Sequence, residues 1–118
     1  MDFSSGMPIY QQLLDSFLIA IVQGKWPAGE KIPSVRQLAL DFAVNPNTVQ
    51  KSLQALETTG LVRSERTSGR FVTDDIQQIE EARRNLAEKE AAAFTETMRK
   101  LGLGPAETCQ LIEAHWPG

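Results

Sequence analysis

The chain has 118 residues, 42% of them hydrophobic and 23% charged, with a net charge of −3. That length and balance describe a soluble protein with one buried core and an appendage, and exclude a disordered, collagenous or disulfide-stapled class. The single cysteine, Cys109, and the single histidine, His115, leave no nitrogen and sulfur donor set for a metal and no internal disulfide.

Apolar residues Ile9, Leu13, Leu14, Phe17, Leu18, Ile21 and Val22 recur at helical spacing, so 9–23 reads as an amphipathic helix with Pro8 in its first turn. The run from Phe17 to Val22 is too short for a bilayer span, and with no basic leader before it the expectation is a cytoplasmic protein without membrane contact. Gly24 and Pro27 stop the helix, and "WPAGEKIP" is a connector in which Lys31-Ile32 can form a short edge strand. Ser34 opens a second helix, with Gln37 completing a capping box and Val35, Leu38, Ala39 and Phe42 facing inward. Asn45 then caps a third helix whose first position is Pro46. Val49, Leu53 and Leu56 form its inner stripe, while Asn47, Lys51, Gln54 and Thr58 share the outer side with Gln50 beside them. Gly60 suits the left-handed residue after the helix and Leu61 the apolar contact of a Schellman ending.

Two short extended runs follow, Leu61–Ser64 and Arg70–Thr73, joined by the turn "ERTSG" as a hairpin with basic residues at its tip. Beyond Asp74-Asp75 the sequence is helical to Gly102, with a thin apolar stripe, and Pro105 opens a last short helix. The expected fold is therefore mainly α with a small β-hairpin: a winged helix-turn-helix head over 1–75 and a helical tail over 76–118. Charge is divided the same way. Residues 31–70 carry six basic groups against three acidic ones, and 76–118 five against seven, so local sign favours a polyanion at the head despite the acidic total.

The joint occurrence of "GEKIPSVRQLA" (29–39), "NTVQK" (47–51), "LETTGLV" (56–62) and "GRFV" (69–72) resembles the GntR family of bacterial transcription regulators, over residues 7–73. The short helical tail and the wording "VNPNTVQKSLQALE" are similar to its YtrA branch. The resemblance implies a sequence-specific DNA-binding regulator, a repressor, acting on double-stranded DNA as a homodimer at an inverted-repeat operator. It implies that Arg36 reaches phosphate or a guanine edge, that Ser34 and Thr48 bind phosphate at helix N-termini, and that Asn47, Gln50 and Lys51 address base edges. It places the wing, Arg66, Ser68, Gly69 and Arg70, along or in the minor groove. The Gly-x-Gly-Thr of many relatives is here Thr67-Ser68-Gly69-Arg70, so the turn is expected to differ.

Each of these residues has a plainer reading. Arg36 can pair with Asp41 or Glu57, Asn47, Gln50 and Lys51 can be a wet helix face, Arg66 and Arg70 can be plain hairpin charges, and Tyr10 and Trp26 can be core or rim aromatics. The tail stripe, Ile79, Leu86, Phe94, Met98 and Leu101 with Leu111 and Ile112, is expected to line the dimer interface, since one such helix cannot bury its own stripe. The residues after Asp75 are too few for a pocket-bearing effector domain, so a small-molecule effector would sit at the dimer interface or between tail and head, or regulation is by expression alone. No cofactor is expected, and no glycine-rich phosphate loop, carboxylate pair or Cys/His constellation suggests an enzyme. The competing function is a winged helix used for protein–protein assembly without DNA.

Overall fold

The computed structural model describes residues 7–118. Leu13, Phe17 and Ile21 stack one turn apart along the helix Ile9–Val22 (α1) and are almost wholly buried, with Leu14, Leu18 and Val22 packed partly against the same core. Ile9, grouped by its spacing with that stripe, is exposed instead. Pro8 stands before the helix rather than in it, and its carbonyl accepts from Gln11 N and Gln12 N. Trp26 folds back onto the core, its ring 5.2 Å from that of Phe17, which also meets Phe42 edge-on at 5.7 Å. Trp26 is therefore a rim aromatic sealing the core.

Helix α3, Pro46–Thr58, lies against α1, and helix α2, Val35–Phe42, packs on α3, with Phe42 reaching Phe17 of α1. Leu38 and Ala39 from α2 and Val49, Leu53 and Leu56 from α3 complete the centre, while Val35 and Phe42 are half-buried at its edge. Ser52, fully buried, also faces inward from α3, and its hydroxyl sits 2.8 Å from the Tyr10 carbonyl of α1 and 3.0 Å from that of Thr48.

Strand β1, Val62–Glu65, pairs antiparallel with β2, Gly69–Val72, in the register Val62↔Val72 to Glu65↔Gly69. The segment 30–32 adds a short third partner: Val72 N donates to Glu30 O at 2.9 Å, Ile32 N to Arg70 O at 3.0 Å, and Lys31 bridges Phe71. Ile32, Leu61, Val62 and Val72 close the core from this side.

Helix α4, Ile76–Lys100, starts from Asp75, whose Oδ1 accepts from Gln77 N and Gln78 N at 3.1 and 3.2 Å. Ile79 is 8% exposed and belongs to the head's core, with Ala82 packed beside it. The compact head therefore extends to Arg83, past the boundary at Asp75 that composition suggested, and a second compact unit covers 84–118. Within that second unit α4 ends in a Schellman turn: Gly102, at φ 87°, donates to Arg99 O and Leu103 N donates to Met98 O, both at 3.0 Å. Helix α5, Pro105–His115, follows, with Thr108 buried. The Arg99 guanidinium, hydrogen-bonded to Glu96, holds that carboxyl below the usual range, and Arg99 is raised in return. No described helix is long and apolar enough to cross a membrane.

Candidate nucleic-acid interface

The turn between α2 and α3 is built from three residues. Ala43 takes the left-handed conformation (φ 54°, ψ 47°), so that its N–H reaches Leu40 O at 3.3 Å and Val44 N reaches Ala39 O at 3.1 Å. Asn45 Oδ1 then accepts from Asn47 N at 2.7 Å and caps α3, with Pro46 at its first position. At the start of α2, Ser34 Oγ accepts from Gln37 N at 3.1 Å. The reciprocal half of the expected capping box is absent: Gln37 Nε2 donates to Asp41 Oδ1 at 2.8 Å, a partner one turn along that competes for the amide. At the far end of α3, Gly60 (φ 84°) donates to Glu57 O, but the second Schellman bond is relayed. Leu61 N donates to Thr59 Oγ1, whose hydroxyl donates to Leu56 O at 2.6 Å.

These caps fix what α3 presents. Asn47, Lys51, Gln54 and Thr58 are exposed along one side, with Thr48 and Gln50 half-buried next to them. Lys51 is not a loose cation, for its Nζ lies 4.0 Å from the centre of the Tyr10 ring. Tyr10, read from sequence as core or rim, thus sits at the edge of the polar face, and the helical offset between α1 and α3 that puts it there has no local sequence signal. Arg36 is exposed in the first turn of α2 and pairs with neither Asp41 nor Glu57. Beside it Val35, Leu40, Val44 and Pro46 form a shallow apolar facet.

The wing is held to α3 by one carboxylate. Glu57 Oε1 receives Arg70 Nε at 3.0 Å and also the Ser64 hydroxyl, and Ser64 and Arg70 are cross-strand partners on the same side of the hairpin. Arg70, which the resemblance places with Arg66 in the wing along the minor groove, is therefore only 18% exposed and paired with Glu57. Arg63 is likewise engaged, by Glu65 Oε1 at 3.1 Å and the Val72 carbonyl at 3.2 Å. Arg66 and Ser68 are exposed in the turn, and Gly69 has φ 108°.

In the second unit, Phe94, Met98, Leu111, Ile112 and Trp116 line an open apolar groove of about 650 Å³, with Glu90 and His115 at its edge. Leu101 is largely exposed and Leu86 half-buried. Ile79, counted by sequence with this stripe, is taken up by the head's own core and is not available to a partner chain. Among the described residues no group of His, Cys, Asp and Glu could hold a metal, and Cys109 is an exposed free thiol.

A helix-turn-helix with an exposed polar second helix, followed by a hairpin docked on that helix, defines a winged helix-turn-helix DNA-binding protein. The chain belongs to the GntR family of bacterial regulatory proteins, whose family model matches residues 9–72. It is similar to the transcriptional regulator YhcF of Bacillus subtilis, 32% identical over 98% of this chain and 96% of that one. It is also similar to the transcriptional repressor YtrA of the same organism, 30% identical over 99% of this chain and 78% of that one. Among solved structures, a GntR family regulator from Listeria monocytogenes superposes with a TM-score of 0.89 at 32% identity, covering 97% of this chain and 98% of that one. The AraR DNA-binding domain in complex with operator ORR3 matches at a TM-score of 0.56 and 30% identity, over 62% of this chain and 88% of that domain. The protein is a DNA-binding transcription regulator of this family and not an enzyme.

Proposed function

We propose that the protein is a homodimeric repressor that binds an inverted-repeat operator, each protomer placing the N-terminal part of α3 in the major groove. The observation that supports the DNA half of this reading is Arg36, exposed and without an ion pair to any described residue, together with the exposed Asn47 and Lys51 and the half-buried Thr48 and Gln50 of α3, on two helices capped by Ser34 and Asn45. Arg36 and Lys51 supply charge, Asn47 and Gln50 amide forks for base edges, Ser34 and Thr48 short hydroxyls for phosphate, and Arg66, Ser68 and Gly69 the wing tip. Dimerisation is supported by the tail groove. Phe94, Leu111 and Ile112 are each about two-fifths exposed in a single chain, and a second tail related by a two-fold axis covers such a surface with its own copy. Repression is supported by the likeness to YtrA, a named repressor. A small-molecule effector, where one acts, would bind in the paired tails, and the protein works in the cytoplasm.

Selection of binding sites from random duplex DNA with the full-length protein tests this reading. Recovery of an inverted repeat with half-sites about one helical turn apart, or a multiple of it, is the expected result. Recovery of no sequence, with no retention on heparin at low salt, leaves the protein-assembly alternative in its place.

A further inference from the structure

The hairpin's register separates its cations by face. Val62, Ser64, Arg70 and Val72 lie on the side toward the core and Glu57, while Arg63, Glu65, Gly69 and Phe71 lie on the outer side. Lys31, bridged to Phe71 from the adjoining segment, shares that outer side. Its backbone is opposite Phe71, but its side chain runs two residues further toward the turn: a methyl group built on Gly69 would lie 2.7 Å from Lys31 Cε and 3.5 Å from its Nζ. The bare backbone of Gly69 is thus the floor over which the Lys31 stem passes, and the ammonium emerges at the tip end of β2.

The wing's other cations are mostly committed. Arg70 is held by Glu57 and Arg63 by Glu65, which removes the nearest outer-face carboxylate from competition. Lys31 is exposed and forms no ion pair with any described residue, and the same holds for Arg66.

We infer that Lys31 is a DNA-contacting residue of the wing, its ammonium binding a backbone phosphate at the edge of the groove that the tip enters. The inference rests on the DNA-binding reading above. It adds a contact from a segment upstream of the helix-turn-helix, brought to the wing by strand pairing. A lysine suits the task because the phosphate of any base pair offers the same charge, so this contact adds affinity and register but no base preference.

The test is the salt dependence of binding to a short duplex of arbitrary sequence, between roughly 50 and 200 mM salt, with full-length protein. Each phosphate contact contributes about 0.9 to the slope of log affinity against log salt, so Lys31→Met should lower the slope by about 0.9 per protomer. Lys31→Arg should restore it. Arg63→Met, which removes a charge already bonded within the wing, should keep the wild-type slope. Thermal melts establish that the variants fold, and Lys31→Gln serves if the methionine variant does not. A steep wild-type slope left unchanged in Lys31→Met overturns the inference while DNA binding stands. A flat wild-type slope overturns both.

Discussion

Arg36 occupies the first turn of a helix, where the macrodipole disfavours a cation, and no described carboxylate relieves it. On the reading proposed above a DNA phosphate or guanine edge would supply the missing anion or acceptor, so Arg36→Ala should weaken operator binding by about 1–3 kcal/mol while leaving the melting curve level or slightly higher. Lys51→Ala should cost a similar amount of affinity. Gln50→Ala should flatten sequence preference more than it lowers non-specific affinity, and titrations on operator and on scrambled duplex distinguish the two. Ser52 makes the opposite kind of contribution. Its hydroxyl is buried against the Tyr10 carbonyl and touches no prospective ligand, so Ser52→Ala should cost about 1 kcal/mol of stability in urea melts and alter binding only through folding.

At the scale of elements, the α2–α3 turn rests on a residue ill suited to it. Ala43 holds a positive φ that an L side chain adopts at a cost of roughly 1–2 kcal/mol. Ala43→Gly should therefore raise stability by about 1 kcal/mol, offset in part by glycine's greater freedom when unfolded, and raise the melting temperature by several degrees. Unchanged melting would mean that the turn is relaxed by its two hydrogen bonds. The wing depends on Glu57 in the same local way. With Glu57→Ala, Arg70 and Ser64 lose their shared acceptor, and trypsin should cleave at Arg66 faster than in the wild type while the rest of the head resists.

At the scale of the whole molecule, sedimentation at micromolar concentration should give a dimer, and charge introduced in the tail groove, as in Ile112→Glu or Phe94→Glu, should give folded monomers with much weaker operator binding. Where the head is cut off matters. A chain ending at Arg83 retains Ile79 and should melt cooperatively, whereas one ending at Asp75 loses a side chain whose burial is worth about 1.5–3 kcal/mol. Equal melting temperatures for the two would show that Ile79 contributes nothing to the head.

Residues close in sequence set most of what could be read without coordinates. The spacing of Leu13, Phe17 and Ile21, the caps Ser34 and Asn45, Pro46 at a first helical position and Gly60 after the last are each decided within one or two turns of chain. The polar row of α3 follows from the same local periodicity. Other features required distant segments to meet. The bonds from Arg70 and Ser64 to Glu57, the Tyr10 ring under Lys51, the Tyr10 carbonyl on Ser52, the Lys31 stem across Gly69 and the burial of Ile79 all join parts of the chain whose separation carries no periodic signal. A helix stripe shows that a side chain must be covered, but not by what. Ile79 was covered by its own head, and Arg70 by Glu57 of α3, because packing satisfies an apolar face or a charge with whichever partner the fold brings within reach.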